Sequence, residues 1–463
     1  MRHKLKTSHE PRLSVVASAK AEVTSNVFVA VMTGKGTGAI ATVQLFGDSA
    51  ETIIKKIFKL ATAKPLTLKT SEILLGTICN DTTTIDQVTI GCEGPHNFAI
   101  NCHGNPLIVE MIMKLLAKEA VKPVTAEQLL AKILSAQKNL NTIAIEAILA
   151  QPKAKTIQGT KIIANQYHGL PGHSAELSRS PRGGMAKPVP SEVEGMAVSR
   201  GLSSKAEQWQ QNINKISLKR ISAEADEILK NSRTAKLIIF GCKVAIVGPP
   251  NTGKSTLLNC LAGRQKAIVT DIEGTTRDWV GAQCRIDPLY VELFDTAGLD
   301  EKLVETSDDI IGKKSQQKSV EILQQADVVL LVLDNSRTVR QLDKHLLEKI
   351  SSTGFQPVHN GWPFHPVLTV LNKSDLSAKF DISELPKKLN NSVLISAKFG
   401  AGIDNLCDKI RQICNVADFD LHTPVCFTDR QENLLEQLKN AKSTRQADSI
   451  ISELLNGQVQ GMP

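Results

Sequence analysis

One eight-residue stretch constrains this chain more than any other. Residues Gly248 to Ser255 read Gly-Pro-Pro-Asn-Thr-Gly-Lys-Ser and fit the pattern G-x-x-x-x-G-K-[ST]. The apolar run Val244 to Val247 leads into it, and a helix-like pattern from Thr256, Leu257 and Leu258 follows. Glycines at these positions let the backbone bend so that successive N–H groups point inward, and the start of a helix adds partial positive charge. That geometry suits phosphate. Asn251, Thr252, Gly253, Lys254, Ser255 and Thr256 would line the phosphates. Lys254 would reach the β- and γ-phosphates, and the Ser255 hydroxyl would take a Mg²⁺ position. The competing reading is a glycine-rich strand-to-helix turn with a chance lysine; the strand before and the helix after argue against it.

Three downstream stretches choose the base. Asp295, Thr296, Ala297 and Gly298 close the apolar run Tyr290 to Phe294. An aspartate there can hold Mg²⁺ through water, and Gly298 can offer its N–H to the γ-phosphate. Asn372, Lys373, Ser374 and Asp375 close a second run, Val367 to Leu371, in the form N-K-x-D. The Asp375 carboxylate accepts two donors from the edge of guanine, and adenine has no such paired donor edge. Ser396, Ala397 and Lys398 close a third run, Val393 to Ile395, and would cover the base. Each short motif is weak alone; in this order, at the ends of successive apolar runs, they specify GTP and GDP rather than ATP.

Length and composition bound the rest. A chain of 463 residues has room for about three domains. An aromatic content of 4% makes base stacking a minor device, and a net charge of +8 permits an RNA partner without establishing one. The nine cysteines are odd in number and include no C-x-x-C, which points to a reducing compartment without disulfide framework or zinc site. No apolar run reaches membrane-spanning length, so a cytoplasmic protein is expected. Residues 1–25 are basic and lack the apolar core of a secretory signal; a disordered start is preferred over a transit peptide.

Along the chain, residues 26–118 read as an α+β unit, with strands at Val27 to Met32 and Ala39 to Phe46 joined by a glycine-rich tight turn. Cys102 and His103 precede an apolar helix, Leu107 to Leu116; without partners at ligand spacing they read as structural. Residues 119–235 are mostly helical, with helical spacing over Glu127 to Leu149 and Ile213 to Leu229 and a Pro/Gly/Ser-rich insertion at about 169–202. From 236 to 412, apolar runs alternate with helical patterns, which predicts a mostly parallel sheet with helices on both faces and the site at the carboxyl ends of its strands. A second insertion, Thr353 to His365, reads as a surface connection. Residues 413–463 return to helix, with amphipathic patterns at Asp429 to Leu438 and Ala447 to Leu455. They are expected to pack on the 119–235 helices, which leaves the nucleotide domain inserted between the two helical parts.

With these motifs placed, the chain resembles the tRNA-modification GTPase family called TrmE or MnmE. The resemblance rests on Gly248 to Ser255, on Ile268 to Asp278 with its Gly274-Thr275-Thr276-Arg277-Asp278, and on Asp295 to Leu299. Gly36 to Ile40, Asn101 to Gly104 and Thr142 to Ala147 carry it through the N-terminal half. It implies an N-terminal tetrahydrofolate-binding domain that mediates a homodimer, a helical domain, and a GTPase domain inserted into the helices. It also implies a flavin-binding partner and modification of wobble uridine in tRNA. Residue by residue, Asn251, Thr270, Ile272 and Thr275 match K⁺ ligands, and Ser255 and Thr276 match Mg²⁺ ligands. With Lys254, Asp295 and Gly298, Thr275 and Thr276 complete the catalytic set that the resemblance implies.

The sequence also departs from the family. Leu299 stands where many GTPases orient water with glutamine. The family's switch glutamate falls on Ile311 or Gly312, with Asp308 and Asp309 nearby as substitutes. Gln44 replaces a folate-contacting arginine, Ala99 replaces a glutamate, and a P-G-E-F-T stretch is absent. The family's C-I-G-K tail is not found at the end of this sequence. Two expectations follow: a K⁺-assisted GTPase of tRNA modification, or a GTP-regulated binding module that has lost folate binding and modification. An Era-like ribosome-assembly GTPase fits the N-terminal half less well.

Overall fold

The computed structural model describes residues 26–34, 36, 38–62, 65–80, 83–94, 96–137, 139–167, 201–264, 281–295, 323, 325–342 and 366–459. The chain divides into two compact units, residues 1–129 and 130–463. Among the described residues, no helix is long and apolar enough to cross a membrane.

The first unit is built on a seven-stranded sheet. Its strands are β1 (Phe28–Val31), β2 (Ile40–Phe46), β3 (Phe58–Leu60), β4 (Ile73–Asn80), β5 (Thr83–Gly94), β6 (Asn97–His103) and β7 (Lys122–Pro123), in the order β3-β4-β5-β6-β2-β1-β7. Alternating residues of β2 and β6 bury one face under helices α1 (Ala50–Ile57) and α2 (Pro106–Lys118), which supply Ile53, Ile54, Ile112 and Leu116 to the core. The Asn105 side chain accepts the Leu107 N–H at 2.9 Å and Pro106 follows, so the local sequence starts α2 unaided.

The link between β1 and β2, expected to be a tight turn, contains residues 35 and 37, which lie outside the described residues; before it, the Met32 N–H still donates to the Thr42 carbonyl at 2.8 Å. Cys102 lies within β6. It is buried, with its thiol donating to the Ala41 carbonyl at 3.5 Å. Burial and the nearby Asp86 push that thiol up from its ordinary pKa. The sheet also runs past residue 118, since Lys122–Pro123 pairs in parallel with Phe28 and Val29.

The second unit joins helices to a second sheet. Its helices are α3 (Ala126–Ser135, which begins in the first unit), α4 (Thr142–Ala150), α5 (Ile157–Ala164), α6 (Leu202–Gln211), α7 (Leu218–Phe240), α8 (Lys254–Arg264), α9 (Ile403–Ile413), α10 (Asp429–Lys439) and α11 (Thr444–Asn456). Its strands are β8 (Cys242–Val247), β9 (Ala282–Ile286), β10 (Leu289–Asp295), β11 (Val328–Asp334), β12 (Val367–Asn372) and β13 (Ser392–Leu394). They form a six-stranded sheet in the order β13-β12-β11-β8-β10-β9, parallel except for the edge hairpin β9–β10. Every residue of the central β11 is buried, as a strand covered on both faces demands. On one face α8 and α9 supply Leu257, Leu261, Leu406 and Ile410; on the other, Leu323, Leu385 and Leu389 cover Val329, Leu331 and Leu333.

The helices form their own core. Trp209, Ile221 and Leu229 pack with Leu435, Leu438, Ile451 and Leu454, so helices from before and after the sheet share one cluster. The periodic stretch Glu127 to Leu149 breaks into α3 and α4 at Asn141, whose side chain accepts the Ala144 N–H at 2.9 Å. The pattern from Ile213 likewise contains a start, Ser217, which caps α7. That helix continues beyond residue 235 because Leu237, Ile238 and Ile239 remain buried. The expected disordered start at 1–25, the core of the 169–202 insertion and the 353–365 insertion lie outside the described residues.

Candidate GTP site

The carboxyl ends of β8, β10, β11 and β12 carry the site. Gly248, directly after β8, has φ +148°, and a Cβ there would stand 2.1 Å from the Val332 carbonyl. Gly253 has φ +93°, and a Cβ there would meet the Asn372 amide nitrogen at 2.3 Å. Both glycines are therefore set by close approach as well as by conformation. Thr252 is fully buried and its hydroxyl donates to the Pro249 carbonyl at 3.0 Å, which fixes the loop's curl. The Lys254 ammonium is folded back on the loop, donating to the carbonyls of Gly248 and Pro249 at 2.9 Å each. These bonds satisfy a largely buried cation at the mouth of the loop.

Beside it, the Ser255 hydroxyl donates to the Asp295 carboxylate at 3.0 Å. One group comes from the first turn of α8, the other from the end of β10. A hydroxyl and a carboxylate brought together beside a phosphate loop are hard oxygen donors of the kind that suit Mg²⁺. Thr256, one residue further along α8, is exposed.

The residues expected to read the base are bound into the same structure. The Asn372 amide donates to the Thr252 carbonyl at 2.9 Å, and its oxygen accepts the Ala397 N–H at 2.9 Å. One side chain thus spans the phosphate loop and the loop after β13. The Ser396 hydroxyl donates to Asp375 at 2.5 Å, which orients one carboxylate oxygen. The Lys398 ammonium lies 5.0 Å from the centre of the exposed Phe399 ring. Lys373, at φ +65°, donates to the Asn251 carbonyl at 2.7 Å and to Asp334 at 2.7 Å. Asn251 itself has φ +62° and is exposed.

Of the residues expected from sequence, Asn251 to Thr256, Asp295, Asn372, Lys373, Asp375 and Ser396 to Lys398 gather here. Thr270, Ile272, Thr275, Thr276, Gly298 and Leu299, with the switch positions Asp308, Asp309, Ile311 and Gly312, lie outside the described residues. Sequence reading passed over Asp334. Its signal was available: it closes the apolar run Val328 to Leu333 as Asp295 closes its own. Burial would raise the Asp334 carboxyl, but hydrogen bonds from Lys373 and Ser336 outweigh it and hold the group below the usual carboxylate range.

Comparison with known proteins agrees with this geometry. The family model for the 50S ribosome-binding GTPase matches residues 243–373, and that for the GTP-binding protein TrmE N-terminus matches residues 27–128. The tRNA modification GTPase MnmE of Desulforamulus reducens is 30% identical over 409 residues, covering 83% of this chain and 81% of the relative. The chain belongs to the MnmE family. The MnmE proteins of Clostridioides difficile and Endomicrobium trichonymphae are each 29% identical. The first match covers 84% of this chain and 82% of the relative, the second 94% and 93%. As an MnmE-family protein the chain binds guanine nucleotide and hydrolyses GTP to GDP and phosphate.

Proposed function

We propose that this GTPase is Mg²⁺-dependent and K⁺-assisted and that it acts in the modification of wobble uridine in tRNA. The observation that carries the nucleotide half is the Asn372 side chain, bonded to both the phosphate loop and the base-covering loop. In this reading Asp375 reads guanine, with Ser396, Ala397 and Lys398 closing over it. Lys254 would reach the β- and γ-phosphates, the Gly298 N–H would serve the γ-phosphate, Thr275 and Thr276 would complete the catalytic set, and Asn251, Thr252, Gly253 and Thr256 would complete the cradle. Ser255 and Thr276 would hold Mg²⁺, with Asp295 one water further out. Asn251, Thr270, Ile272 and Thr275 would hold K⁺, which supplies the positive charge that an arginine provides in other GTPases. The names of the relatives support tRNA as the substrate. A homodimer through the first unit and a flavin-binding partner belong to the same proposal. So does insertion of the nucleotide part (236–412) between helical parts 119–235 and 413–463, which the shared helical core supports.

The test of this mechanism is the cation. At equal ionic strength, hydrolysis should run about tenfold or more faster in K⁺ than in Na⁺, a difference of about 1.4 kcal/mol in barrier. Equal rates would remove the K⁺ assignment and return Asn251 to a turn-forming role.

A second reading has an observation of its own. Gln44 and Ala99, the two positions that depart from the folate-binding pattern, are register partners on β2 and β6. Gln44 is buried, and its amide nitrogen donates to Glu93 at 2.9 Å and to Asn97 at 2.6 Å. An arginine there would offer a cation to a folate carboxylate; this amide is already engaged, and Glu93 adds negative charge. On this reading the chain is a GTP-regulated binding module without folate. Losing an Arg–carboxylate contact costs about 2–5 kcal/mol, so calorimetric titration with 5-formyltetrahydrofolate should give no measurable heat of binding. Micromolar affinity would return the lead to tRNA modification.

A further inference from the structure

Asp334 is the last residue of β11 and is 1% exposed. One carboxylate oxygen accepts the Ser336 N–H at 2.9 Å and the Ser336 hydroxyl at 2.6 Å. The other accepts the Lys373 ammonium at 2.7 Å. The same ammonium donates to the Asn251 carbonyl, also at 2.7 Å. Three chain segments therefore meet at one cation: the end of β11, the residue after β12 and the phosphate loop. Backbone bonds add to the junction, since Asp334 is the register partner of Asn372 and the Asn335 N–H donates to the Asn372 carbonyl at 2.8 Å.

Both residues that the ammonium joins to Asp334 sit in left-handed backbone, Asn251 at φ +62° and Lys373 at φ +65°. Residues with a Cβ hold that conformation only where their surroundings compensate. Lys373 is only half-buried, so its ammonium can turn to solvent; the Asp334 anion, itself buried, is what favours this placement. We infer that Asp334 is a positioning residue for nucleotide binding: it holds Lys373 against the Asn251 carbonyl, so that the guanine-reading loop and the phosphate loop are fixed relative to each other before the nucleotide arrives. The consequence is preorganisation. Part of the ordering that GTP or GDP would otherwise impose is already present, and affinity gains accordingly.

This inference rests on the reading of the site as a GTP site, and the experiment separates the two. Asp334→Asn in the full chain keeps the shape and the Ser336 contacts but removes the charge that holds Lys373. Affinity for a fluorescent GDP analogue should fall about tenfold or more, and the KM for GTP should rise in parallel. The kcat should stay within about twofold, because the residue acts on the base and loop rather than on the γ-phosphate. In a Lys373→Met background the same substitution should have little further effect on nucleotide affinity, since the lysine through which it reaches the phosphate loop is gone, while the Arg337 guanidinium, 3.5 Å away, still faces the carboxylate. A lower kcat at unchanged KM would mean only a smaller folded fraction and would overturn the assignment. So would GDP affinity within about twofold of the parent. If Asp334→Asn does not fold, Ser336→Ala decides: it removes one bond to the carboxylate, and a two- to threefold weaker GDP affinity supports the role while no change overturns it. A parent chain that binds no GDP would overturn the site reading itself.

Discussion

Exchanging Asp375 for asparagine should cost the protein its guanine nucleotides and give it xanthine nucleotides instead. In the proposed site the carboxylate would accept from the two N–H groups on the guanine edge. An asparagine presents one acceptor and one donor, so one of those contacts becomes donor against donor. Truncating one side of such a charge-assisted pair costs about 2–5 kcal/mol. At 1.4 kcal/mol per factor of ten, GDP affinity should fall by roughly thirty- to a few-thousand-fold. Xanthine carries an oxygen where guanine carries its amino group, and so restores the match. Ser396 makes the substitution clean: its hydroxyl donates to Asp375 at 2.5 Å and can donate equally to an amide oxygen, so the loop after β13 keeps its anchor. Competition titrations with GDP, XDP and ADP on parent and variant check this. A variant that still prefers GDP would remove Asp375 from base recognition, and a parent that binds ADP as well as GDP would do the same.

The parts of this site that were legible in the sequence are those whose cause is local. Gly248 and Gly253 are forced by the curl of one loop, and Asp295, Asn372 and Ser396 each stand at or just past the end of an apolar run that could only be a buried strand. Asp334 occupied the same kind of position and was missed, because its meaning depends on Lys373, 39 residues further on. The helical region was harder for the same reason. Periodicity cannot distinguish one long helix from two shorter ones joined at a cap, so Glu127 to Leu149 read as continuous across Asn141. Domain edges suffered too. The end of the first unit depends on two residues of β7 pairing with β1, a contact across more than ninety residues that no local pattern encodes.

The largest stability effect should come from such a distant contact, the pair Glu146–Arg430. Glu146 on α4 is 2% exposed and Arg430 on α10 is 8% exposed. The guanidinium donates to both carboxylate oxygens, at 2.7 and 3.0 Å, and also to the carbonyls of Glu453 and Leu454 in α11 at 3.0 and 3.1 Å. Gln431 donates a further bond to Glu146 at 2.7 Å. The partners are 284 residues apart, so they close the helical core over the whole nucleotide-binding stretch. Arg430→Ala would leave a buried carboxylate without its cation and take a donor from the Leu454 carbonyl, while the Glu453 carbonyl keeps the Gly457 N–H at 2.8 Å, at a cost of about 3–5 kcal/mol. Trp209 is fully buried in the same core and reports its opening through fluorescence. The denaturant midpoint read from that signal should fall sharply in Arg430→Ala. In Glu146→Leu with Arg430→Met it should recover in part, because the uncompensated buried charge is gone while the buried Gln431 amide and the Leu454 carbonyl lose their partners. A midpoint unchanged in Arg430→Ala would mean that water or a shifted lysine compensates the carboxylate. If the double variant were as unstable as the single, the polar pair itself would be what specifies how α4 meets α10 and α11.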